Sequence, residues 1–148
     1  MFEQRNNELI NELLIAVHRS LLQYSVECWP WTAPGEASEQ DAITDMVQEQ
    51  QIFVHRLVEL LLESEFTIDF GGFPTEFTDL HYVALDFMLQ EMIKDEEFLI
   101  AQLERGHAVV ADDVEASSLL AELTAAERRH LTQLRELAAA HPPETVTR

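Results

Sequence analysis

Toward its C-terminus the chain reads Glu127-Arg-Arg-His130, a carboxylate and an imidazole three residues apart in a stretch with helical spacing. At that spacing both side chains leave one face of a helix and can hold one metal ion between them. Glu127 is in phase with Leu120, Leu123, Leu131 and Leu134, and His130 with Leu123, Leu134 and Leu137, so the pair points into an apolar interior. A charge buried there needs a compensating partner. Two more carboxylates share phase with apolar rows: Glu49 with Met46, Phe53 and Leu60, and Glu91 with Ala84, Met88 and Phe98. Together these are hard oxygen donors plus one nitrogen, a set suited to iron or manganese, and glutamates bridging two ions would neutralise charges that otherwise could not share a core. Each has a second reading. Glu49 and Glu91 are long enough to tilt into water at a boundary, and Glu127 with His130 can instead make a buried hydrogen bond between helices.

Other groups are less suggestive. His18 lies among Leu14, Ile15, Leu21 and Leu22 and reads as a core histidine, while His55 and His81 are offset from their stripes. The run Lys94-Asp95-Glu96-Glu97 reads as a solvated face, with Asp95 alone near the Glu91 row. Trp29, Trp31, Phe70 and Phe73 fall in connections, where they plug the ends of a bundle or, if exposed, mark a partner surface. Cys28 is the single cysteine, so there is no internal disulfide and no cysteine-based zinc site. No serine sits in a nucleophile elbow, and Gly71-Gly72 is an isolated pair rather than a phosphate loop.

The 28 acidic against 9 basic residues give a formal charge of -19, and Lys94 is the only lysine. A nucleic-acid backbone is repelled by such a chain. The longest apolar run, around Leu57 to Leu62, is interrupted by Glu59 and falls far short of the ~20 residues that cross a bilayer. The polar start, Met1-Phe-Glu-Gln-Arg, carries no apolar export signal, so a cytoplasmic location is expected.

Four long segments must position the candidate ligands, and the 148 residues suit a single domain. The first runs from about Phe2 to Cys28, through Leu9, Leu13, Val17, Leu21 and Tyr24, and stops at Pro30 and Pro34. The second opens at Ser38, whose hydroxyl caps it with Asp41, and carries Ile43, Val47, Val54, Leu57 and Leu61. A longer aromatic connection, Phe66 to Thr75, fits a crossover between helices two and three. Thr75 or Thr78 is expected to cap helix three, which carries Leu80, Val83, Phe87 and Leu99 and ends at Arg105 with Gly106 as the left-handed residue. Asp112 or Asp113 begins helix four, which continues to about His141, with a frayed tail from about residue 142. Helices of roughly 25 residues span about 37 Å, the format of a four-helix bundle.

On these residues the chain resembles the ferritin-like superfamily, in particular its bacterioferritin and rubrerythrin branch. Glu127-Arg-Arg-His130 followed by Leu131 and Leu134 looks like that branch's fourth-helix Glu-x-x-His motif, and Leu9-Ile-Asn-Glu-Leu-Leu14 through Leu22-Gln-Tyr24 looks like its first helix. Glu91 falls near the third-helix bridging glutamate and Glu49 near the second-helix glutamate. Two family ligands are missing: Ile52 stands where the second-helix histidine belongs, and Val17 where the first-helix glutamate belongs. His18 is adjacent to Val17 but faces about 100° away. Hemerythrin-like and DinB-like bundles fit less well, since Ala126 occupies the place of a second histidine four before His130.

The resemblance implies an all-α, ferritin-like four-helix bundle with a crossover between helices two and three. Two functions follow as expectations. One is an interaction or scaffold module, dimeric and with protein partners, whose di-iron site is degenerate or lost and whose centre is filled by Val17, Ile52 and hydrogen-bonded polar groups. The other is an iron- or manganese-binding oxidase or peroxidase using Glu49, Glu91, Glu127 and His130.

Overall fold

The computed structural model describes residues 2–27, 37–80 and 84–140. Among them are five α-helices, α1 (Phe2–His18), α2 (Leu21–Glu27), α3 (Ala37–Glu63), α4 (Leu85–Val109) and α5 (Val114–Ala140), and a 3-10 turn at Thr75–Leu80. No strand occurs among the described residues, and no helix there is long and apolar enough to cross a membrane. Cys28, Trp29, Trp31, His81, Val83 and the segment from 141 onward lie outside the described residues.

The expected continuous first helix is broken at Arg19-Ser20. There the Leu21 N–H donates to Asp95 Oδ2 of α4 at 2.9 Å, so a carboxylate from a distant helix satisfies a backbone donor at the start of α2. No local pattern announces such a partner. Ser38 lies inside α3 rather than capping it, and its hydroxyl donates to Glu39. Thr75 and Thr78 head the 3-10 turn, where the Thr78 hydroxyl donates to the Thr75 carbonyl, and α4 begins only at Leu85. Gly106 does not end α4: it lies within the helix, where an added Cβ would come within 2.6 Å of Leu13 on α1, so its role is close helix approach. Asp113 does cap α5, its Oδ1 accepting the Ala116 N–H at 3.1 Å.

Packing is closest between α4 and α5 and between α1 and α3; α4 also rests on α1 and α2, and α3 on α2 and α5. The connection from α3 to α4 is strapped along α1. Asn11 donates to the Asp69 carbonyl and accepts the Asp69 N–H, both at 3.0 Å, and Arg19 Nε donates to the Phe70 carbonyl. Gly71, at φ 63°, passes so near Ile15 that a Cβ would collide with it.

The core has two apolar parts. One joins Leu13, Leu14 and Val17 of α1 to Leu57, Leu61, Leu103, Leu120 and Leu123; the other joins Leu21 and Leu22 of α2 to Met46, Met88, Leu89, Met92 and Leu134. Along each column a polar residue interrupts the sequence between them: Ser20, Gln50, Glu96, and Glu127 with His130, all buried. Three residues expected inside are outside, since Ile52 is 62% exposed, Phe87 50% and Phe98 63%.

Candidate metal centre

Helix α5 turns both Glu127 and His130 inward, and α4 brings Glu96 to them. One ligand atom from each of these three residues lies within 4.8 Å of the others, and all three side chains are buried. Helical phase explains the meeting: Glu96 shares its face with Leu89, Met92, Leu99 and Leu103, which are buried too. Its Oε1 is buried with no hydrogen-bond partner. An unpaired buried carboxylate oxygen is costly unless a cation or a proton joins it.

Around the trio runs a chain of donors. Gln50 Nε2 donates to both Glu127 oxygens at 3.1 Å, and Gln50 Oε1 accepts from Gln23 Nε2 at 2.9 Å and from the Ser20 hydroxyl at 3.4 Å. Gln23 Nε2 also reaches the Val47 carbonyl at 3.0 Å. His130 stands between two carboxylates, with Nδ1 3.2 Å from Glu127 Oε2 and Nε2 2.7 Å from Glu49 Oε1. Ionised carboxylates only accept, so without a metal both contacts are hydrogen bonds only if the site holds a proton beyond that of a neutral imidazole. Glu49 also meets Arg129 at 3.4 Å, near the surface. Beside the trio, burial holds the Asp95 carboxyl above its ordinary range, against the Leu21 N–H that pulls it down; the Glu127 charge adds to the rise.

Of the four residues chosen from phase alone, Glu127 and His130 meet at the centre, and Glu49 is half-buried at its edge, on the far nitrogen of His130. Glu91 stands apart. It pairs with Lys94 at 3.3 Å and, with Lys94, Glu76 and Asp95, walls a surface cleft of about 310 Å³ that also reaches Leu21. Glu96 and Gln50 take the central places on α4 and α3. Glu96 belongs to a charge run that reads as solvated from its composition, although that run straddles the core boundary with Asp95 half-buried and Glu97 exposed. His18 lies outside the centre: its ring packs edge-on to Phe70 at 5.9 Å, and its buried Nδ1 has no hydrogen-bond partner.

The donor set fits one divalent ion better than two. A dinuclear carboxylate centre draws anionic ligands from all its helices. Here α1 offers the apolar Val17, α2 and α3 offer the amides Gln23 and Gln50, and among the described residues the fully buried carboxylates are Glu96 and Glu127. No family model matches this chain, and no curated protein or solved structure is significantly similar to it.

Proposed function

We propose that this protein is a ferritin-like helical bundle with a reduced metal centre, holding a single iron or manganese ion through Glu96, Glu127 and the Nδ1 of His130. The observation that carries this reading is the buried Glu96 oxygen without a partner, beside a second buried carboxylate and an imidazole. An ion with open coordination positions supplies Lewis-acid or redox chemistry when bound. The chain's own residues set its surroundings. Glu49, accepting from His130 Nε2–H, fixes the tautomer that leaves Nδ1 free to ligate, and Gln50 holds the Glu127 carboxylate in place. The ferritin-like fold is supported by the packing: α3 and α4 follow one another in sequence yet are absent from the closely packed pairs, as expected when a crossover joins them.

A second reading has its own support. The Gln50 amide already satisfies both Glu127 oxygens, which is the arrangement of a metal-free descendant serving as an interaction module. Elemental analysis after anaerobic loading with ferrous iron or, separately, manganese, followed by desalting, separates the two. About one ion per chain, with a raised Tm and loss of both in Glu96→Gln, is expected. Two ions per chain would overturn the single-ion site; none, with an unchanged Tm, would establish the metal-free reading.

A further inference from the structure

Helix α4 carries a second pattern on the side away from the core. Phe87, Phe98 and Val109 are 50%, 63% and 43% exposed and stand eleven residues apart. Eleven residues is close to three full turns, so the three form one nearly straight outward stripe about 33 Å long. Two phenylalanines and a valine facing water in one line along a helix are a cost without a covering partner.

The charges on this face say what covers it. The chain is strongly acidic overall, yet the ionisable residues interleaved with the stripe are Glu91, Lys94 and Arg105, and Lys94 is the only lysine. The other acidic residues exposed along the flank, Glu97 and Glu104, are paired with Arg135 and Arg128 of α5. Arg105 has no ion-pair partner among the described residues. The pattern is also symmetric about Phe98. When an antiparallel copy of α4 is centred there, Phe98 meets Phe98, Phe87 meets Val109, Glu91 meets Arg105 twice, and Lys94 meets Gln102. That is the self-complementarity of an isologous two-fold interface. Lys94 and Arg105 offset part of the acidic charge along this face and so lower the mutual repulsion of two acidic chains across it.

We infer that two copies of the chain associate antiparallel through the outer face of α4, with Phe98 on the two-fold axis. A single helix pair buries an area at the small end of specific interfaces, so the dimer is concentration-dependent, with a dissociation constant in the roughly micromolar range. This inference is independent of metal binding.

Sedimentation equilibrium of the full chain across that range tests it, in moderate salt to screen long-range repulsion. The unsubstituted chain is expected to dimerise. Phe98→Glu, which sets two carboxylates against each other on the axis, is expected to weaken association roughly a hundredfold without loss of helicity, because the position is exposed. Glu91→Arg and Arg105→Glu should each weaken it several-fold, and the double substitution should restore it. In a Cys28→Ser background, Phe98→Cys should cross-link to its own copy on oxidation. A chain monomeric throughout, a dimer indifferent to Phe98→Glu, a double swap no better than either single one, or a dimer in which Phe98→Cys fails to cross-link would each overturn the proposal.

Discussion

The two apolar parts of the core differ in what fills them, and the polar layer between them differs from both. On the α1 side the interior is mostly leucine, isoleucine, valine and alanine from all four columns, with Phe53 buried among them and Phe66 at its edge, and Gly106 admits Leu13 closely. On the α2 side it contains Met46, Met88 and Met92, and Tyr24 meets Phe73 edge-on and Phe77 at a tilt, at 5.1 and 5.4 Å between ring centroids. Branched aliphatic side chains have few rotamers and lock together; methionine adapts to irregular gaps. The layer between takes its order from hydrogen-bond partners instead, each amide and carboxylate constrained by donor and acceptor geometry. Shape sets one end of the bundle, adaptable filling the other, and polarity the register between them.

The contrast is testable by substitution. Leu57→Ala, in the aliphatic part and fully buried, should lose about 4 kcal/mol in urea denaturation, since neighbours held by close packing cannot collapse into the cavity. A loss below about 1 kcal/mol would mean that this part is no stiffer than the other. In metal-free protein Glu127→Ala should cost about 3 kcal/mol, because it leaves the buried Gln50 amide without its acceptor and opens a gap beside His130. Replacing Glu127 and His130 together by Gln and Leu removes both members of the costly pair and should be near neutral; an equally large loss would show that the layer's stability does not come from that pair. Met88→Leu, equally buried but in the adaptable part, should cost less than about 1.5 kcal/mol, and a cost as large as that of Leu57→Ala would erase the distinction between the two parts.

The smallest effect concerns pH. Burial, and after it the Arg19 charge, hold the His18 imidazole below its ordinary 6.5. Between the folded and unfolded values the unfolded chain binds the extra proton. The contribution of His18 is therefore complete above pH 6.5 and is lost as pH falls toward the lower folded value. Denaturation at about pH 7.5 and about pH 5.5 should show a smaller difference for His18→Phe than for the native chain. Equal differences would assign the slope to another group.

Much of this was legible in the sequence. The helical period in four segments is long and strong, and the inward phase of Glu127 and His130 follows from their leucine neighbours, which the structure buries. Glu96 was legible in principle, because it lies three residues from Leu99 and four from Met92, but the surrounding Lys94, Asp95 and Glu97 disguised it as part of a solvated run. Gln50 sat within the stripe of Val47, Val54 and Leu57, and an uncharged amide did not stand out as a ligand does. The break at Ser20 was not legible. It depends on Asp95, and a backbone donor met by a carboxylate from a different helix leaves no trace in local spacing.

The tight turn capped by Asp113 has a consequence for the order of assembly. It joins α4 directly to α5, and these two helices carry Glu96, Glu127 and His130 between them. All three side chains are therefore brought together by closing one short loop, whereas the contacts of α1 with α4 close a much longer one and cost more chain entropy. The hairpin is expected to form before α1 and α3 settle against it, with pulse-labelled amides of α4 and α5 protected first. A centre assembled this way exists as soon as its hairpin does, and the rest of the bundle arrives to exclude water from it.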